Sequence, residues 1–179
     1  MTGGMASDQD NKVARIDRLF MDCVLDVVSH EQVLSMNKFM HHGTTSCFAH
    51  CFHVSYVSFQ ICRKLGLDVR SAARGAMLHD FFLYDWHVTK SEIGLHGFRH
   101  AALALKNATR FFCLNDLEKD IIRKHMWPLT LLPPRYRESF VVAMIDKYCT
   151  VVEVLRIGEK KRRRVLEMLL PEDAGGGIL

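Results

Sequence analysis

"SCFAHCFHVSYVSFQICRKLG", residues 46–66, reads as one long helix with both ends marked. Its apolar residues follow helical rather than alternating spacing. Gly43-Thr44-Thr45-Ser46 forms a turn before it, and a hydroxyl there can cap the exposed N–H groups of the first turn. Gly66 stops it as a C-terminal glycine does. Outward from this segment the pattern stays helical. One helix is expected over about 12–29, with Val13, Ile16, Leu19, Phe20, Val24, Val27 and Val28 on one face, and another over about 31–40. A helix starting at Asp68 or Ser71 is expected to carry His79 and Asp80, and one over about 97–112 begins near "HGFRH". Asn115 with Glu118 makes a capping-box start for a helix ending at His125, before Pro128. "LTLLPPRYRES" (129–139) is a loop, and helices over about 136–156 and 159–170 complete the chain. No strand alternation and no internal repeat stands out. The expected fold class is all-α, a compact single-domain helical bundle.

The chain has 179 residues, 49% of them hydrophobic and 25% charged, which suits one domain with its own core. Residues 1–11 read as a polar tail or vector-derived scar, 12–170 as the domain and 171–179 as a flexible C-terminal tail. No apolar stretch approaches the roughly 20 residues that span a bilayer, and the polar start is no signal peptide, so a cytoplasmic protein without a membrane partner is expected. The six cysteines form no CxxC and read as reduced core residues. The net charge of +4 is local, because "RIGEKKRRR" (156–164) alone holds six basic residues and one acid. No aromatics interleave with that run, so it reads as a solvated face rather than a nucleic-acid site.

The chemistry sits where charges interrupt apolar segments. Asp80 lies in "GAMLHDFFLYDWH" (75–87), and Asp146 follows Val141, Val142, Ala143, Met144 and Ile145. An unpaired charge in such surroundings costs several kcal/mol, or about that after relaxation. Two such segments call for something positive between them. A divalent cation is the economical candidate, since it also accounts for histidines placed mid-helix at His50, beside Asp80 at His79, around a helix start at His96 and His100, and at a helix end at His125. His41 and His42 read as surface or lid residues, and His53 as a hydrogen-bonded core histidine. Adjacent helical side chains point about 100° apart. His79 and Asp80 can therefore share a metal only at the helix edge, which leaves a second Asp80 oxygen for a neighbouring metal.

The order "AHC" (49–51), "LHD" (78–80), "HGFRHAALA" (96–104), "KHMWPLT" (124–130) and "MIDKYC" (144–149) resembles the HD-domain superfamily of metal-dependent phosphohydrolases over about residues 46–150. Ala101 stands where that family has proline. The resemblance implies His50, His79, Asp80 and Asp146 as ligands of a first metal. It implies His100 and His125, with Asp80 as the bridge, for a second, His96 being the alternative to His100. One or two divalent ions are expected, drawn from Fe, Mn, Ni, Co, Mg or Zn. They would activate water for hydrolysis of a phosphomonoester or phosphodiester in a small phosphorylated, nucleotide-like substrate. Asp80 is then a catalytic as well as a ligating residue. Asp85 could hold a water or accept a proton, and His96, Arg99, Arg135 and Lys147 could meet phosphate. No phosphate loop and no nucleophilic triad offers another route. The absence of a Gly-Tyr-Pro extension after Asp146 argues against the subfamily that cleaves cyclic dinucleotides. Two other readings share the resemblance: a di-iron oxygenase and a non-catalytic nucleotide sensor. Apolar residues of the first two helices could mark a homodimer surface, or simply core packing.

Overall fold

The structure is a computed structural model that describes residues 8–42, 45–82 and 96–170; of residues 8–12, 42 and 96–99 it describes the backbone alone. Eight helices are found among the described residues: α1 (Asp8–Val28), α2 (Glu31–Leu34), α3 (Cys47–Leu65), α4 (Val69–Leu78), α5 (His96–Phe111), α6 (Asp116–Lys124), α7 (Arg137–Val154) and α8 (Glu159–Leu169). They pack as one all-α domain around α3 and α4, which pack most extensively on each other. α1 covers the far side of α4, α6 and α7 close the other side, and α5 rests on α6.

The helix ends follow local chemistry. Ser46 Oγ accepts from the Ala49 N–H at 3.2 Å, and Gly66 takes the left-handed conformation at φ 65° that ends α3. Asp68 caps α4 by accepting from the Ser71 N–H at 3.0 Å. Asn115 and Glu118 form a reciprocal capping box on α6. Glu118 has a second task, since its other oxygen accepts from Nε of buried Arg74 at 2.7 Å, and Arg74 also pairs with Asp26. One buried guanidinium thereby ties α1, α4 and α6 together.

Three expectations need correction. The helix read over 31–40 is only α2, a 3-10 turn (Ser35–Lys38) and then a strand, β1 (Met40–His42), paired antiparallel with β2 (Thr45–Ser46). The pairing partner is a separate strand further along the chain, so a helical window could not reveal it. α1 begins at Asp8, four residues ahead of the expected 12. α4 ends at Leu78 and does not carry Asp80. The Ala76 carbonyl that would accept the Asp80 N–H in a continued helix instead receives His79 Nδ1–H at 2.7 Å and the His79 N–H at 3.5 Å. The side chain competes with the backbone and stops the helix.

The core has two parts. Phe20 of α1 meets Phe52 and Phe59 of α3 edge-on, with centroids 5.4 and 5.5 Å apart. Such pairs add about 0.5–1.5 kcal/mol each beyond burial. Val54, Ala76, Ile121, Val142 and Cys149 fill the space between α3, α4, α6 and α7. α7 is apolar nearly all round, yet Phe140, Tyr148, Val151 and Val154 are exposed because only one of its sides meets the domain. The basic run is solvent-facing, as its composition implies. Cys47, Cys51, Cys62 and Cys149 are buried free thiols.

α4 can approach α6 closely because residue 75 is glycine: a Cβ there would sit 2.8 Å from Ile121 Cδ1 and 3.0 Å from Ile121 Cβ. Gly75→Ala gains helix propensity but forces the two helices apart. A net loss of about 1–2 kcal/mol is expected, as for overpacked cores, read as a lower denaturant midpoint. Ile121→Ala in the same chain should remove most of the added penalty.

Candidate metal centre

Two helices end in the same way. At the C-cap of α4, His79 Nδ1 donates to the Ala76 carbonyl at 2.7 Å; at the C-cap of α6, His125 Nδ1 donates to the Ile122 carbonyl at 2.8 Å. A carbonyl only accepts, so each Nδ1 carries the proton, and in the neutral ring Nε2 is left with a lone pair. Both Nε2 atoms point at Asp80. His50, in the first turn of α3 and fully buried, presents Nε2 to Asp146 Oδ1 of α7 at 3.1 Å. His100 of α5 brings its Nε2 to 2.8 Å from His125 Nε2.

Asp80 stands between these sets. Its Oδ1 lies 3.4 Å from both His100 Nε2 and His125 Nε2. Its Oδ2 lies 3.5 Å from His79 Nε2 and 2.9 Å from His41 Nε2. Asp146 Oδ1 is 3.5 Å from His79 Nε2. Two donors bound at about 2.1 Å are separated by about 3.0 Å across an octahedral edge and about 3.4 Å across a tetrahedral one. The separations here, 2.8 to 3.5 Å, bracket those two values. His79 Nε2 and Asp80 Oδ1 are buried and make no hydrogen bond among the described residues, an arrangement a cation would satisfy. Three overlapping triads could each hold a metal ion: His41, His50 and Asp80; His50, His79 and Asp146; His79, Asp80 and His125.

Charge balance explains how the cluster tolerates burial. Desolvation works against the Asp80 carboxylate, but the charge of His79 and the His41 imidazole 2.9 Å from Oδ2 hold it ionised, well below its ordinary pKa. Asp146 is likewise held well below the usual range by His50 and His79, against its burial. Desolvation opposes the charged form of His50, and Asp146 and Glu153 overcome it and raise its pKa well above the ordinary value. His79 is raised in the same way, chiefly by Asp80. Burial lowers His125 and leaves it neutral.

Six expected ligands, His50, His79, Asp80, His100, His125 and Asp146, therefore converge from α3, α4, α5, α6 and α7. Lys147 stands beside them: its Nζ donates to the His125 carbonyl at 2.8 Å and lies 3.9 Å from Asp146 Oδ2. Burial lowers its pKa. Arg135 is exposed over the Tyr136 ring, 5.6 Å from its centroid, and its backbone N–H bonds to Asp120. Asp85 and the side chains of His96 and Arg99 lie outside the described residues. Two participants escaped the sequence reading. His41 is buried on β1, its ring stacked 3.9 Å from that of His50, rather than at the surface. Glu153 is buried on α7 and accepts from His50 Nδ1 at 2.8 Å. It was detectable in principle, because it lies two helical turns after Asp146 on the same face.

Compared with protein-family models, curated proteins and solved structures, the chain matches none of them. The site's geometry and the donor chemistry carry its interpretation.

Histidines with raised pKa stabilise the metal-free fold fully below their ordinary value of 6.5, and that contribution is lost as pH climbs through the raised values. The neutral His125 acts in the opposite direction but is one group against two. The depressed carboxylates act from about pH 4 upward, and Glu153 loses its contribution only as pH falls toward about 2. Metal-free protein should therefore be most stable between about pH 4.5 and 6.5 and lose thermal stability above that window. Added Co2+ should raise the melting temperature by an amount that grows with pH, since ligation requires deprotonated imidazoles. Calorimetry with and without the ion reads both trends.

Proposed function

We propose that the protein is a metal-dependent hydrolase of phosphate esters, of the HD-domain kind that the residue order resembles. The observation carrying this reading is the division of Asp80: Oδ1 faces His100 and His125, while Oδ2 faces His79 and His41. A carboxylate with a separate imidazole set at each oxygen suits a bridge between two divalent ions. His50, His79, Asp80 and Asp146 would hold one, and His100, His125 and Asp80 the other. When bound, such ions supply water activation and neutralise phosphoryl charge.

The chain's own groups support that chemistry in three ways. The Ala76 and Ile122 carbonyls fix the His79 and His125 tautomers, so no ring must reorganise to ligate. The close-packed ligand cluster excludes bulk water, which strengthens electrostatic interactions inside it. Lys147 holds an ammonium next to the carboxylates, anchored at the His125 carbonyl, where it can pair with a phosphate oxygen. The substrate class, a small phosphorylated and nucleotide-like molecule, follows from the resemblance and this cationic group together.

The test is turnover of p-nitrophenyl phosphate, bis-p-nitrophenyl phosphate and a nucleotide panel after loading with Mn2+, Co2+, Ni2+ or Fe2+. Chelation should abolish activity, and Asp80→Asn should lower kcat by about two to three orders of magnitude, on the scale of losing a principal electrostatic contributor. Lys147→Met should raise KM by about tenfold with metal content unchanged, as expected for about 1.4 kcal/mol of lost ion pairing. Turnover of none of these esters by metal-replete protein would reject the reading.

A further inference from the structure

His50 is held at both ring nitrogens by one helix. Asp146 Oδ1 lies 3.1 Å from Nε2 and Glu153 Oε2 lies 2.8 Å from Nδ1, and both carboxylates belong to α7, seven residues apart in sequence. Seven residues are two helical turns, so the two acids share a face and bracket the imidazole lengthwise. We propose that Glu153 is the positioning residue of the metal centre: it fixes His50 in the Nδ1–H tautomer and aims Nε2 at a divalent cation shared with His79 and Asp146. The inference rests on the metal reading above and names a group that the ligand resemblance does not include.

The chemistry is specific. A carboxylate accepts but cannot donate, so the 2.8 Å contact requires the proton on Nδ1 and leaves Nε2 for ligation. An ionised acceptor also makes the imidazole a stronger donor to a cation. His79 and His125 achieve the same tautomer with backbone carbonyls, because each sits at a helix C-cap where a carbonyl three residues earlier is within reach. His50 lies in the first turn of α3, where the preceding carbonyls are engaged in the helix ladder, so its partner has to come from another element. Glu153 supplies it. The other Glu153 oxygen lies 3.7 Å from His53 Nδ1, and the same carboxylate borders a cavity of about 560 Å³ between α3 and α8. Burying a carboxylate here is costly in the absence of a ligand to orient; Glu153 is 4% exposed.

The experiment measures Co2+ binding by titration calorimetry, metal stoichiometry by elemental analysis, and the Co2+ visible spectrum, with folding of each variant checked by circular dichroism. Glu153→Leu should weaken Co2+ at the His50 site by about 10- to 100-fold, the usual cost of losing an outer partner of a ligating histidine, and should alter the visible bands. Glu153→Gln keeps an acceptor for Nδ1–H and loses the charge, so it should retain the stoichiometry with a measurable loss of affinity, up to about tenfold. Glu167→Gln, which removes an exposed pair with Arg163, serves as a control and should bind as wild type does. A merely structural Glu153 would lower the melting temperature of the metal-free variant without moving affinity or spectrum. Wild-type affinity, stoichiometry and bands in folded Glu153→Leu would overturn the inference while leaving the metal reading intact. If that variant does not fold, an affinity of Glu153→Gln equal to wild type overturns it instead. Failure of the wild type itself to bind Co2+ would overturn the metal reading, and this inference with it.

Discussion

A carboxylate taken out of water must be given back its solvation, and Asp80 receives that compensation from imidazoles contributed by separate elements of the fold. His41 comes from the ribbon, His79 from the end of α4, His100 from α5 and His125 from the end of α6. An isolated buried charge would destabilise a domain of this size by several kcal/mol, or about half the stability of an ordinary small protein. The chain therefore gains nothing by burying Asp80 unless all of those elements arrive in register. Much of the architecture can be understood as what brings them there.

Two features of the packing secure that register. Gly75 lets α4 and α6 approach closely enough for their C-terminal histidines to face one carboxylate, the ring centroids of His79 and His125 standing 4.8 Å apart. Arg74, the residue before it, ties the same two helices to α1 through Glu118 and Asp26. On the opposite side α7 grips α3 at His50, with Asp146 and Glu153 at its two nitrogens, and through the packing of Val54 against Val142 and Cys149. Helix packing and site geometry are thus parts of a single constraint, since a shift of α6 or α7 along its axis would separate donors that now lie about one ligand-to-ligand edge apart.

The same residues separate what was readable from what was not. Ser46, Gly66, Asp68 and the Asn115–Glu118 pair act within four residues of themselves, so their roles follow from local chain geometry, and the helix bounds they set agree closely with the reading. Asp80 and Asp146 announce themselves by sitting in apolar runs. The end of α4 at Leu78 is harder to read: the histidine that faces Asp80 also takes the Ala76 carbonyl, and propensity alone gives no hint of that competition. Nothing local marks His41 as buried, because its burial depends on the ribbon that pairs β1 with Thr45 and Ser46.

The sequence by itself determined the helical class, the caps and the set of ionisable residues that cannot be left bare in an apolar segment, because each of these depends on contacts within a turn or two. Only the tertiary structure decided which donors meet. That His100 faces His125, that the two oxygens of Asp80 look toward different imidazoles, and that Glu153 rather than a backbone carbonyl holds His50 are consequences of how α3, α5, α6 and α7 are docked. Partners as far as 103 residues apart are chosen by packing, to which no local pattern has access.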